Sequence, residues 1–112
     1  MHELALTQSV VEAIRERLGE ARVIRVRLQV GRLAAVVPDA LRFCFDVCTR
    51  GTSLEGAVLE IDEIAARARC RRCGVEAELD GVIALCACGS ADLEVLAGRE
   101  LQIREVELAE RD

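Results

Sequence analysis

The stretch CRRCGVEAELDGVIALCACGS, residues 70–90, decides how the chain is to be read. It holds four of the six cysteines as two close pairs, Cys70 with Cys73 and Cys86 with Cys88, separated by twelve residues. Two such pairs let two short loops approach one ion from opposite sides. Structural zinc takes four ligands at tetrahedral corners, and thiolates suit it because they are charged and polarisable. Gly74 and Gly89 each follow the second cysteine of a pair, where a backbone free to take positive φ turns N–H groups toward sulfur. The pattern predicts a structural zinc ion on Cys70, Cys73, Cys86 and Cys88. The second pair is Cys-x-Cys rather than the two-residue spacer usual in zinc knuckles, so its loop is tighter and its N–H···S pattern must differ. The competing reading is four buried or redox-active thiols, but packing alone gives no reason to concentrate them in the chain's least apolar segment.

Outward from the cysteines, residues 67–98 contain only short apolar pieces such as Val82, Ile83 and Leu85. So short a segment cannot bury enough surface to fold unaided, which makes it an inserted module held by its metal. Toward the N-terminus, residues 4–18 place Leu4, Val10, Val11, Ile14 and Leu18 on one helical stripe, with Gly19 as the stop. From Val23 to Val30 the period becomes two: Ile24, Val26, Leu28 and Val30 share one face, and Arg25, Arg27 and Gln29 the other. Pro38 opens a second helix to about Arg50, with Leu41, Cys44, Phe45 and Cys48 on its apolar face and Gly51 behind it. A strand follows near 57–64, and another after Gly98, whose change of phase between Leu101, Ile103 and Val106, Leu108 suggests a bulge. The expected fold is α+β: a small three-stranded sheet with two helices, plus an inserted zinc-ribbon-like module.

Composition narrows the function. The chain has 112 residues, suited to one modest core. Aromatic residues make up only 2%, with Phe43 and Phe45 the whole supply, so Leu, Val, Ile and Ala must build that core. Its 20 acidic and 15 basic residues leave a formal charge of −5, which argues against nucleic acid, whose affinity comes from clustered cations. No apolar run long enough for a membrane span or signal peptide is present, so a cytoplasmic protein without membrane association is expected. In that reducing compartment the cysteines read as metal ligands or buried thiols. Cys44 and Cys48, four apart on a helix beside Leu41 and Phe45, read as small core hydrophobes.

The only histidine is His2. Met1 is expected to stay on, because the processing aminopeptidase removes methionine only ahead of small residues. The Met1 amine, the His2 backbone nitrogen and the His2 imidazole then close adjacent five- and six-membered chelate rings, and the Glu3 backbone nitrogen offers a fourth donor. Four nearly coplanar nitrogens suit Ni(II) or Cu(II) rather than tetrahedral zinc. Amide deprotonation makes such binding weaken at low pH, and a site at a chain end is easily loaded and unloaded. The bland alternative is a solvated histidine beside a helix-start carboxylate, Glu3, favoured by the helix dipole.

MHELALTQSVV at the start, LQVGRL, FCFDVCTRGT, the paired cysteines ending in CGS and the tail GRELQIREVEL together resemble the HypA/HybF family of hydrogenase maturation nickel chaperones, in order and over essentially the whole chain. The resemblance implies nickel at the MHE terminus, with His2 the essential ligand and Glu3 a backbone donor whose carboxylate lies beside the metal's ligands. It also implies zinc on Cys70, Cys73, Cys86 and Cys88, although the family's second pair usually reads Cys-Pro-x-Cys. By the same resemblance, Ni(2+) is cargo and Zn(2+) structural, and the partners are a HypB-type GTPase and the [NiFe]-hydrogenase large-subunit precursor. Residues 1–66, completed by a C-terminal strand over 99–112, form the expected nickel-binding α/β domain, and 67–98 the zinc-binding domain. A monomer or weak homodimer is expected.

Two other classes compete. One is a zinc-ribbon protein-interaction adaptor for which His2 is irrelevant. The other is a thiol oxidoreductase using Cys70 and Cys73, with Arg71 and Arg72 lowering the thiol pKa. No second histidine, phosphate-cradling glycine loop or serine–histidine arrangement supports an enzyme, so a carrier is expected.

Overall fold

The computed structural model describes residues 2–79 and 85–110. Helix α1 covers His2–Leu18, strand β1 Val23–Gly31, and a 3-10 turn Arg32–Ala34; helix α2 covers Pro38–Thr49. Five further strands follow: β2 Val58–Ile64, β3 Arg67–Cys70, β4 Glu76–Glu78, β5 Leu93–Ala97 and β6 Leu101–Leu108. They form two three-stranded sheets, ordered β2-β1-β6 and β4-β3-β5. The expected α+β architecture is what the chain adopts. Chain contacts divide it into two compact units, one built from residues up to Gln29, Val36–Asp62 and Gln102 onward, the other from Val30–Ala35 and Glu63–Leu101.

In the first unit, α1 has Glu3 in its first turn and Arg15 and Arg17 in its last, the arrangement that the helix dipole favours. It begins two residues earlier than the apolar stripe predicts, so His2 and Glu3 belong to the helix. Gly19, at φ 59, donates its N–H to the Arg15 carbonyl at 2.8 Å and closes the helix. Buried Thr7 satisfies its hydroxyl on the Glu3 carbonyl, 2.7 Å away. Helix α2 starts with Pro38 at its first position, where a missing N–H costs nothing, and packs on α1.

The core of this unit comprises Val10, Val11 and Ile14 of α1, Val23, Val26 and Leu28 of β1, Leu41 and Phe45 of α2, and Leu54 beyond it. The predicted inward set of β1 needs one correction. Ile24 is 40% exposed, whereas its neighbour Val23, at the strand's first position, is buried. There the Val23 N–H is drawn to the Ser53 carbonyl, at 3.0 Å, from the loop that carries Leu54.

The second unit holds the β4-β3-β5 sheet, which sequence patterning did not predict. Ala68 of β3 pairs antiparallel with Ala77 of β4 and Val95 of β5, and Cys70 pairs with Leu93. Arg69 stands between Glu76 and Glu94, 3.4 and 3.9 Å from their carboxylates. Of the apolar pieces assigned to this module, Val82 and Ile83 lie outside the described residues, and Leu85 is exposed.

Candidate metal centres

Cys70 ends β3 and Cys73 lies in the turn that follows, so the first pair sits on a hairpin between β3 and β4. The Cys70 N–H donates to the Val75 carbonyl at 2.9 Å, and the Gly74 N–H donates back to the Cys70 carbonyl at 2.8 Å. The second pair sits on a tighter turn in which the Gly89 N–H reaches the Cys86 carbonyl and the Cys86 N–H reaches the Ser90 carbonyl, at 2.8 and 2.9 Å. Gly74 and Gly89 take φ of 80° and 89°, the left-handed conformation their places require.

These turns bring the four sulfurs within 4.8 Å of one another. Cys70 and Cys88 sulfurs are 3.7 Å apart, and Cys73 and Cys86 sulfurs 3.5 Å. A zinc ion bonding four thiolates at its usual length sets neighbouring sulfurs about 3.8 Å apart. The donor set therefore fits tetrahedral zinc in number, softness and spacing, and the Cys-x-Cys loop reaches the same centre as the longer one.

Electrostatics point the same way. The Cys70 thiol is lowered to about 6, first by the Cys73 N–H, 3.4 Å from its sulfur, with the Arg72 N–H and neighbouring thiols helping against burial. Backbone amides do this, not the guanidinium groups assigned the task above: Arg71 is paired with Asp92 at 3.1 Å. The Ser90 N–H favours the Cys88 thiolate, yet the Cys86, Cys70 and Cys73 sulfurs and burial outweigh it and push Cys88 up to about 11. Cys73 is likewise raised, because the Cys86 and Cys70 sulfurs and burial outweigh the Val75 N–H. The cluster gives up its first proton readily and its last reluctantly, as crowded thiols do until a cation supplies the missing positive charge. A strand end and a turn also differ from the helix start that the oxidoreductase reading requires.

The other predicted centre is at the chain start. Met1 lies outside the described residues. His2 and Glu3 form the first turn of α1, where backbone N–H groups have no acceptor within the helix. The His2 side chain is exposed. The Glu3 carboxylate accepts the Val37 N–H at 3.2 Å. That bond, followed by one from its own N–H, holds the Glu3 carboxyl below its ordinary value. Cys44 is buried and Cys48 half-buried in α2, outside the four-sulfur cluster; burial, then the neighbouring Cys44, raises the Cys48 thiol.

Residue-level reading missed the Glu3–Val37 bond. A signal for it exists: Val37 is the N-cap of α2 and has no side chain able to cap. Nothing local identifies Glu3 as the distant acceptor.

A small α+β chain with a four-thiol centre on paired turns and a lone histidine opening its first helix defines a metal-handling protein. The family model described as hydrogenase/urease nickel incorporation, metallochaperone, HypA matches residues 1–108. The chain belongs to this family of nickel metallochaperones and hydrogenase maturation factors. It is 50% identical over 110 residues to the hydrogenase maturation factor HypA of Nostoc sp. PCC 7120, covering 98% of this chain and 97% of that one. It is 46% identical to that of Geobacter metallireducens, covering 96% and 99%. In fold it is similar to the solution structure of the Ni metallochaperone HypA from Helicobacter pylori, with a TM-score of 0.69 at 19% identity over 96% of this chain and 97% of that one.

Proposed function

We propose that the chain carries Ni(II) on the Met1 amine, the backbone nitrogen and imidazole of His2, and the backbone nitrogen of Glu3. What supports this is the place of His2 and Glu3 in the first turn of α1, where amides without helical acceptors stand beside an exposed imidazole. Coordination through amide nitrogen expels protons, so acidification releases the metal. Binding in the micromolar range, about 8 kcal/mol, selects nickel yet lets it go.

Cys70, Cys73, Cys86 and Cys88 hold structural zinc. When bound, that ion supplies the positive charge that lets all four sulfurs ionise together, and it fixes both turns. Residues 1–66 with 99–112 serve the nickel, and 67–98 serve the zinc. Nickel is cargo, and the chain acts as a carrier rather than an enzyme. It works in the cytoplasm, as a monomer or weak homodimer, with a HypB-type GTPase and the [NiFe]-hydrogenase large-subunit precursor.

Titrating nickel into the protein, into His2→Ala and into a form with extra residues ahead of Met1 tests the terminal site. Both changes are expected to cripple binding. Equal binding by all three removes the terminal site and favours the adaptor reading.

A further inference from the structure

Glu3 does two things at once. Its backbone nitrogen is a donor in the nickel reading above, on which this inference rests, and its carboxylate accepts the Val37 N–H at 3.2 Å. Val37 is the N-cap of α2, extended at φ −88°, and its own side chain makes no cap. In a capping box, the N-cap N–H is taken by a Glu or Gln three residues into the same helix. Helix α2 has Ala40 there, so it lacks that acceptor. Glu3 supplies it from the other helix.

The carboxylate hangs from the same residue whose nitrogen would take the metal, so side chain and metal bond share one Cα. Nickel can take the Glu3 nitrogen only by displacing its proton, so loading the chain start fixes the backbone from which the carboxylate reaches Val37. The bond to Val37 must then adjust.

We propose that Glu3 is a positioning residue whose carboxylate caps α2 at the Val37 amide, tying the nickel-binding chain start to that helix so that α2's first turn registers metal loading. The backbone carries the metal bond and the side chain carries the message. Substitutions at the side chain therefore separate the two.

Square-planar Ni(II) is diamagnetic, so amide NMR of the nitrogen-15-labelled full chain can follow a Ni(II) titration alongside visible absorption. In the wild type, the Val37 amide signal is expected to move in step with the absorption band. Glu3→Gln keeps an oxygen acceptor and should preserve both responses. Glu3→Ala should still develop the band, with nickel binding about fivefold weaker, while its Val37 signal starts displaced and no longer responds. Unchanged amide signals elsewhere show that this variant is folded. A band that saturates while wild-type Val37 stays still, or a Val37 signal that moves equally in Glu3→Ala, overturns the positioning role and leaves the nickel site standing. A wild type that develops no band overturns both.

Discussion

Gly98 takes φ +111°, and a Cβ placed on it would meet the Ala66 Cα at 2.6 Å. Its carbonyl meanwhile accepts the Leu33 N–H at 2.6 Å, and its N–H is taken by the Glu100 carboxylate. Gly31 is pressed against the same backbone, where a Cβ would lie 2.7 Å from the Arg99 nitrogen. Neither neighbour is the far end of a flexible side chain, so the backbone itself must give way. Gly98→Ala adds a disfavoured φ to that clash and is expected to cost at least about 3 kcal/mol, read as a lower urea midpoint at unchanged slope. An unaltered midpoint would mean that the two segments separate freely. This constraint was hidden from sequence, because the partner Ala66 is remote and short side chains carry no pattern. Gly74 and Gly89 were legible for the opposite reason: the cysteine that demands each turn is the residue immediately before it.

At the scale of the element, the β2-β1-β6 sheet places its arginine-bearing strand between two acidic ones. Arg25 reaches Glu60 at 3.1 Å on one side and Glu107 and Glu105 at 2.9 and 3.5 Å on the other. Arg27 reaches Asp62 at 2.7 Å and Glu105 at 3.4 Å. Each pair is partly exposed and individually weak, but Arg25 separates three carboxylates. Arg25→Ala leaves them facing one another, so it should lower the melting temperature at low salt, and by less near 1 M salt, where screening acts within a few ångströms. Thermal melts at the two ionic strengths measure the difference; a loss that does not change with salt would assign the effect to lost packing. The faces of β1 were legible from its alternation, Ile24 apart, and its arginines beside the acidic strands favour this strand order. The β4-β3-β5 sheet was not legible. Strand β4 is three residues long and exposed throughout, and β3 turns inward only Ala68 and Cys70, too small to make a periodic signal.

Across the whole molecule, burial is unevenly shared between the two units. Among the described residues, the second unit buries only Val30, Ala66, Ala68 and Cys70 of its apolar side chains, whereas the first buries Phe45, Leu28, Leu41, Leu54 and several valines. Burial among the described residues of the second unit is slight, so a metal on its four sulfurs is expected to add much of its stability; zinc bound by thiolates contributes on the order of 10–16 kcal/mol in comparable peptides. Acid tests this without a chelator, because protons compete for the sulfurs. Cys70, lowered from 9.0 to about 6 in the fold, contributes stability that is complete above pH 9 and lost as pH falls through about 6. Cys88 acts oppositely: raised to about 11, its thiol form stabilises the metal-free protein below 9 and loses that effect only as pH rises through 11. Stepwise acidification should release one zinc per chain, read with a colorimetric zinc indicator, as protons take the sulfurs from the metal. Amide hydrogen exchange should quicken in β3 and β5 at the same step while α1 and α2 stay protected. Zinc that leaves with no change in β3 and β5 would show that the second unit holds itself together; simultaneous loss of protection in both units would show that the metal stabilises the entire chain as one cooperative body.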